Sequence, residues 1–254
     1  MFNVVFPKYT EQRYYNIHFK YVLNILKELE CDISYEEVDG FVVRINKKTF
    51  LFDYSDTNIV VNTELPVFKF HCHEETDNVF SFSPVSFHNW SQYKIASESI
   101  KYHAEGELSH RQRCYGNALQ RRVKLRAELI RNYDNVRLTQ VSQIKYFHEI
   151  DTTYLAVFCP GWCNNMLDRA QFQYMGLGCC TVSPKIPEVL PFETRLEPGV
   201  HYICCKDDYS DILDIIEEYK SKKEECIKIG QNAKELFQQT SVPRRLGEWI
   251  KKKL

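Results

Sequence analysis

The segment 158–169, Phe-Cys-Pro-Gly-Trp-Cys-Asn-Asn-Met-Leu-Asp-Arg, carries the residues best placed to bind an anion. The apolar run before it predicts a buried strand, and the residues after it predict a helix over 168–177. Ligands collect at the carboxyl ends of strands in open α/β sheets, where helix N-termini present free N–H groups. We therefore expect Asn165 to cap the helix, followed by Asp168, while Arg169 grips a phosphate. The alternative is that Asp168 and Arg169 form ordinary salt bridges.

A second group of candidates is a basic run of seven residues, opposed only by Glu128. On a helix, two of its arginines share a face one turn apart and lie beside an apolar stripe. The pattern predicts that Arg122 and Arg126 point into a cleft and hold a diphosphate, and a solvated basic face is the alternative. The run consists of Arg111, Arg113, Arg121, Arg122, Lys124, Arg126 and Arg131, and the stripe of Leu119, Val123, Ala127 and Ile130.

A general base is expected at the end of a strand, and His71 directly follows the apolar run 67–70. Histidine titrates in the range that proton transfer near neutral pH requires. We therefore take His71 as the candidate base, with Asp53, Asp56 and Glu105 as rivals. The ten cysteines have no zinc-like spacing, so we expect free structural thiols and no metal site.

The elements that position these residues alternate strand and helix from about residue 96 onward, which predicts an α/β domain with a doubly wound sheet. The N-terminal third reads as strands, including a hairpin over 40–52, with one helix over 15–29. The segment 91–99 reads as a connection, and 100–103 is a candidate strand. We expect an N-terminal lobe over 1–95, a second lobe over 96–240, and a C-terminal helix over 241–254 that returns to the first lobe.

Composition limits the function classes. The 254 residues include 33 Lys and Arg against 34 Asp and Glu, so the net charge is −1. A protein that mainly holds nucleic acid usually has a clear excess of positive charge, and we therefore expect no nucleic-acid partner. The N-terminus has no apolar signal-peptide core, and no apolar run approaches a membrane span, so we expect a cytoplasmic protein.

The stretch 154–249 resembles the C-terminal, donor-binding lobe of GT-B glycosyltransferases. Residues 174–184, Tyr-Met-Gly-Leu-Gly-Cys-Cys-Thr-Val-Ser-Pro, are similar to the helix–glycine–strand step of that superfamily. The segments 198–202, Pro-Gly-Val-His-Tyr, and 229–235, Ile-Gly-Gln-Asn-Ala-Lys-Glu, are similar to its closing motifs. The spacing from Arg169 to Gly178 looks closest to capsule-associated O-xylosyl/glucosyltransferases and exostosin-like enzymes.

The resemblance implies two Rossmann-like lobes that hold a nucleotide-sugar between them, as in the cytoplasmic enzyme of a bacterium or a large DNA virus. It implies a metal-independent, inverting transfer of a UDP-linked xylose or glucose to a glycan or glycoprotein acceptor, with no cofactor beyond the donor. Arg122, Arg126 and Arg169 would hold the diphosphate with help from the helix start at Asn165. Asp168 and Gln173 would contact the ribose and base.

Two other function classes remain open from the residues alone. One is a non-catalytic module that binds a nucleotide or sugar, and the other is a nucleic-acid-binding protein that uses the basic run. Neither accounts as well for the order of strand, loop and helix after residue 154.

Overall fold

The computed structural model describes residues 2–8, 16–37, 40–55, 57–83, 90–114, 118–139, 141–160 and 166–254. The chain divides into two compact units, each discontinuous in sequence. The first unit comprises residues 1–90, 188–195 and 238–254, and the second comprises 91–187 and 196–237. Each unit is described below by itself.

The first unit contains a six-stranded mixed sheet in the order β2-β1-β3-β4-β5-β6. β3 pairs antiparallel with both β1 and β4, whereas β4, β5 and β6 run parallel, so the sheet differs from an all-parallel Rossmann sheet. Its strands are β1 Phe2–Pro7, β2 Cys31–Glu36, β3 Val42–Ile45, β4 Lys48–Asp53, β5 Val67–Lys69 and β6 Val79–Ser81. The hairpin expected over 40–52 is confirmed as β3 and β4.

Two helices and a short hairpin complete the first unit. They are α1 Asn16–Lys27, α8 Pro243–Lys253 and the strands β11 Val189–Leu190 and β12 Thr194–Arg195. α8 packs on α1, where a Cβ at Gly247 would lie 2.7 Å from the Cδ2 atom of Leu29. The indole of Trp249 is fully buried and donates a hydrogen bond to the Ser81 carbonyl at 2.8 Å.

The second unit contains a five-stranded sheet in which every pair is parallel. Its order is β13-β10-β9-β7-β8, so the strands, numbered along the chain within this sheet, lie as 2-1-3-4-5 when read from β8. This is one of the two common orders of doubly wound sheets. Its strands are β7 Glu107–Ser109, β8 Val136–Arg137, β9 Thr153–Val157, β10 Thr181–Ser183 and β13 Ile203–Cys204.

Helices connect most of these strands, as expected for a parallel sheet. The α-helices of this unit are α2 Trp90–Ser99, α3 Leu119–Asn132, α4 Gln143–His148, α5 Arg169–Gly176, α6 Ile212–Lys220 and α7 Lys223–Thr240, of which α3, α4 and α5 lie between successive strands. A 3-10 helix covers Glu149–Thr152, and another, Pro191–Glu193, belongs to the first unit. α7 approaches the chain before β10 closely, because a Cβ at Gly230 would lie 2.0 Å from the carbonyl oxygen of Gly178. The prediction of an α/β domain is confirmed.

Three local predictions were wrong. The segment 91–99 forms α2 instead of a connection, and 100–103 is not a strand, since the first strand of the second sheet is β7. The buried face of α3 is also the opposite of the one expected. Arg122, Leu125 and Leu129 are buried, whereas the predicted apolar stripe is exposed at Leu119, Val123, Ala127 and Ile130.

Within the part of the chain that the structure describes, no helix combines the length and the apolar character needed to cross a bilayer.

Candidate functional site

The carboxyl ends of β7 and β9 form the candidate site. After β7 the chain adds β8 on one side of it, then crosses to the other side to add β9. Open parallel sheets bind ligands at such a reversal of strand order, because the connections leave in opposite directions and open a crevice between them. The residues that follow the two strands, 110–113 and 158–160, are therefore the first to inspect. We call this region the switch point.

The switch point is held together by side-chain contacts to main-chain atoms. Gln112 binds Cys159 twice: its Oε1 accepts from the Cys159 N–H at 2.5 Å, and its Nε2 donates to the Cys159 carbonyl at 2.9 Å. His110 lies against Val157, with 2.9 Å between Nδ1 and the carbonyl oxygen. These bonds extend the pairing of β7 and β9 beyond the last strand residues.

Arg122 is buried at the switch point and is already engaged by protein atoms. Its Nη1 donates to the Arg113 carbonyl at 2.6 Å, and its Nη2 lies 3.3 Å from the carbonyl oxygens of Cys159 and Pro160. The same Nη2 pairs with Asp168 Oδ2 at 3.0 Å. The guanidinium of Arg122 thus joins the chain after β7, the chain after β9 and the start of α5. Its contact with a diphosphate stays a prediction.

The start of α5 also differs from expectation. Asp168 is the N-cap: its Oδ1 accepts from the Ala170 N–H at 2.8 Å while Oδ2 holds Arg122. A protein carboxylate therefore stands where the sequence predicted a phosphate at the helix terminus. Asn165, the expected cap, lies outside the described residues. Gln173 is buried on α5, one turn after Arg169.

The remaining arginines give the switch point an excess of positive charge. Arg126 is half-buried and donates through Nη2 to the Gln112 carbonyl at 2.8 Å, and Arg169 is exposed at the first residue of α5. Arg121 is half-buried, and its charge acts on the hydroxyl of Tyr209, which donates to the Phe158 carbonyl. We call the following set the arginine cluster: Arg113, Arg121, Arg122, Arg126 and Arg169.

Asp168 is the carboxylate that pairs with this cluster among the described residues, and it pairs with Arg122. The neighbouring Arg111 forms an ion pair with Glu149 at 2.6 Å and bonds the Thr139 carbonyl. Three members of the cluster, Arg121, Arg126 and Arg169, thus contribute positive charge without an ion pair to a described carboxylate. Such an excess favours an external anion with several oxygens, because guanidinium groups match the geometry of phosphate.

The pKa of His110 is lowered by its surroundings at the switch point. The side chain is fully buried, and burial, together with the charges of Arg126 and Arg122, lowers the pKa of His110 to about 4. The imidazole is therefore neutral near pH 7, and Nδ1 carries the proton that Val157 accepts. Sequence inspection missed this residue because it placed the preceding strand at 100–103.

His71, the candidate base, lies in the first unit and is buried at the end of β5. Its Nδ1 stands 3.6 Å from Oε1 of Glu188, which is completely buried. Nearby, Lys69 pairs with Asp53 at 2.9 Å and with the Ser55 hydroxyl at 2.7 Å. We call His71–Glu188 and Lys69–Asp53 the acid–base pairs. The sequence offered no sign of Glu188 as a partner, since 117 positions separate it from His71.

The rival bases are less well placed. Asp53 is engaged with Lys69. Asp56 lies outside the described residues. Glu105 belongs to the second unit, and its hydrogen bond to Lys223 holds the pKa of Glu105 below its ordinary value.

The nine described cysteines form no disulfide bonds, which agrees with the expectation of free thiols. Among the described residues, no three His, Cys, Asp or Glu side chains are grouped so that they could hold a metal ion.

No protein-family model matches the sequence, and none of the curated proteins is similar enough to be matched.

Proposed function

We propose that the protein is a glycosyltransferase whose second unit binds the diphosphate of a nucleotide-sugar at the switch point. The observation that carries this proposal is the arginine cluster at the carboxyl ends of β7 and β9. A ligand with a large negative charge and a compact phosphate group fits that cluster best. The sheet order and the resemblance of 154–249 to GT-B donor lobes add support, and the proposed GT-B relationship rests on the second unit alone.

The chemical demand of sugar transfer explains why arginines suit this role. As the bond between the anomeric carbon and the phosphate oxygen breaks, negative charge grows on the departing nucleoside diphosphate. Preorganised cations stabilise that charge without reorganising, and this is often the largest single contribution to catalysis. We assign direct contact with the diphosphate to Arg169 and Arg126. Arg122 and Asp168 support the loops around them.

The acceptor is a glycan or glycoprotein hydroxyl, and we assign its deprotonation to His71 of the first unit. In an inverting transfer, the acceptor oxygen forms its bond to the anomeric carbon as the diphosphate leaves. The hydroxyl proton passes to the imidazole. No metal is assigned a role in this step.

The direct test is the affinity of the protein for UDP-xylose and UDP-glucose, measured by calorimetry and by the shift in melting temperature. We expect a ligand at 100 times its dissociation constant to stabilise the fold by about 2.7 kcal/mol. Arg169→Ala should abolish transfer and donor binding while the unfolding free energy stays within about 0.5 kcal/mol, since the side chain is exposed.

Arg131→Ala is the matched control, because Arg131 is an exposed arginine on α3 that pairs with Glu128. It should leave donor binding unchanged. Normal transfer by Arg169→Ala would remove Arg169 from the donor site. Donor binding with no turnover by the wild-type protein would favour the non-catalytic module. Salt-dependent oligonucleotide binding that Arg126→Ala weakens would favour the nucleic-acid alternative.

A further inference from the structure

A short segment of the chain brings Glu188 to His71. Residues 188–195, which we call the excursion, interrupt the second unit between β10 and β13 and belong to the first unit. The Val189 N–H donates to the Cys72 carbonyl at 2.7 Å, and Arg195 donates to the His73 carbonyl at 3.3 Å. These two bonds fix the excursion against residues 72 and 73. Glu188, just before Val189, is thereby placed beside His71.

Burial of the Glu188 carboxylate carries a free-energy cost. Glu188 is completely inaccessible, and a buried carboxylate destabilises the fold unless a partner compensates its charge. Its Oε1 stands 3.6 Å from Nδ1 of His71, which is within ion-pair distance and longer than a hydrogen bond. Hydrogen bonds between catalytic groups are often long in the absence of substrate and shorten when it binds. The His71 side chain keeps about a tenth of its surface exposed. The pair therefore combines a hidden carboxylate with an imidazole that solvent can still reach.

The other charged groups near His71 have different partners or positions. Lys69 is engaged with Asp53 and Ser55, and Arg195 is exposed. His73 is near Glu188 as well, but burial lowers the pKa of His73 in spite of that carboxylate. Glu188 is thus a buried carboxylate that lies against the His71 ring itself.

We infer that Glu188 is the positioning residue of His71: it holds the imidazole with the proton on Nδ1 and balances the charge that forms when the ring becomes protonated. This inference rests on the proposed function for its catalytic meaning. The acceptor hydroxyl gives its proton to Nε2, and its oxygen bonds to the anomeric carbon. The nucleoside diphosphate leaves with the electron pair of the broken bond.

The first test needs neither donor nor acceptor. In the wild-type protein labelled with 15N-histidine, the nitrogen shifts of His71 report which ring nitrogen carries the proton. An unconstrained imidazole favours Nε2–H, whereas the contact with Glu188 predicts Nδ1–H as the main neutral form. A predominantly Nε2–H ring would overturn the inference.

The second test compares variants of two glutamates on the excursion. Glu188→Gln should shift the ring toward the Nε2–H form, whereas Glu193→Gln, at an exposed position, should leave it unchanged. In transfer assays we expect Glu188→Gln to lower kcat about 100-fold or more with little change in KM, as for loss of a group that aids proton transfer. An unchanged kcat in folded Glu188→Gln would refute the positioning role.

The two proposals fail in different ways. If no nucleotide-sugar binds, the proposed function falls, while the tautomer of His71 still shows whether Glu188 controls the ring. If donors bind and transfer proceeds but the ring carries its proton on Nε2, only the role of Glu188 falls.

Discussion

Both units end parallel strands on a polar edge, but the charges at the two edges are balanced differently. At the switch point, Asp168 is the described carboxylate that pairs with the arginine cluster, and the guanidinium groups of Arg122 and Arg126 contact main-chain carbonyls. At the ends of β4 and β5, the acid–base pairs set the Lys69 ammonium against Asp53 and the His71 ring against Glu188. An edge with excess charge is suited to capture an ion from solution. An edge whose basic side chains lie against carboxylates of the same unit is suited to hold and move a proton.

The largest expected effect tests whether Arg122 supports the switch point from within. Arg122→Met should lower the unfolding free energy by about 4–5 kcal/mol, because Asp168 and three carbonyls lose a buried donor. Urea denaturation measures the change. Arg131→Met, at a largely exposed arginine on the same helix, should cost at most about 0.5 kcal/mol. Equal losses in the two variants would show that Arg122 has no special structural role.

The next prediction concerns the neutralised edge of the first unit. Lys69→Met should cost about 3 kcal/mol, because Asp53 would keep a buried charge without its partner. The double variant Asp53→Leu, Lys69→Met should recover most of that loss, since a buried ion pair and an apolar pair are often similar in stability. Unfolding curves of both variants decide the point. A double variant no more stable than Lys69→Met would contradict internal neutralisation.

The smallest effect is a pH dependence at the switch point. The folded-state pKa of His110, about 4, lies below the ordinary value of 6.5, so the unfolded chain takes up the proton first as pH falls. His110 therefore contributes stability above pH 6.5, and this contribution fades as pH drops toward 4. We expect the free energy of unfolding, measured by urea denaturation, to fall by about 2 kcal/mol between pH 7 and pH 5.

His110→Asn supplies the comparison, because its amide can donate to the Val157 carbonyl without titrating in this range. The variant should lose about 2 kcal/mol less than the wild type between pH 7 and pH 5. An equal fall of the unfolding free energy with pH in both proteins would mean that His110 does not titrate as its buried position requires.

The sequence predicted elements with strong local signals well. The continuous apolar run of β9 and the hairpin of β3 and β4 lie close to where alternation and turn residues placed them. The strand β7 was missed, because three residues, Glu107–Ser109, are too few to give a periodic signal. Its pairing with β8 and β9 makes it a strand.

The inverted face of α3 shows why the site was harder to predict than the fold. Apolar periodicity predicted that Leu119 and Val123 lie on the buried face of α3, with the arginines beside that face. The helix instead buries Arg122, because the carbonyls of Cys159 and Pro160 and the carboxylate of Asp168 need donors there. Those acceptors lie 37 to 46 positions further along the chain, beyond the reach of any local pattern.

The tertiary partner of His71 was invisible for the same reason. The apolar run 67–70 placed His71 at a strand end, but no local pattern pointed to Glu188, which lies 117 positions further along the chain. Burial and pairing of charge at such sites follow from chain topology, and topology is the part that local residue patterns specify least.

The discontinuous first unit has a consequence for the order of events during synthesis. Its sheet is encoded by the first 81 residues, yet its core includes Trp249, whose indole hydrogen is accepted by Ser81, and Gly247, which packs on Leu29. The early strands therefore emerge from the ribosome with their apolar face uncovered and wait for a segment translated more than 150 codons later. The packing around the first sheet is therefore complete only after α8 has been translated.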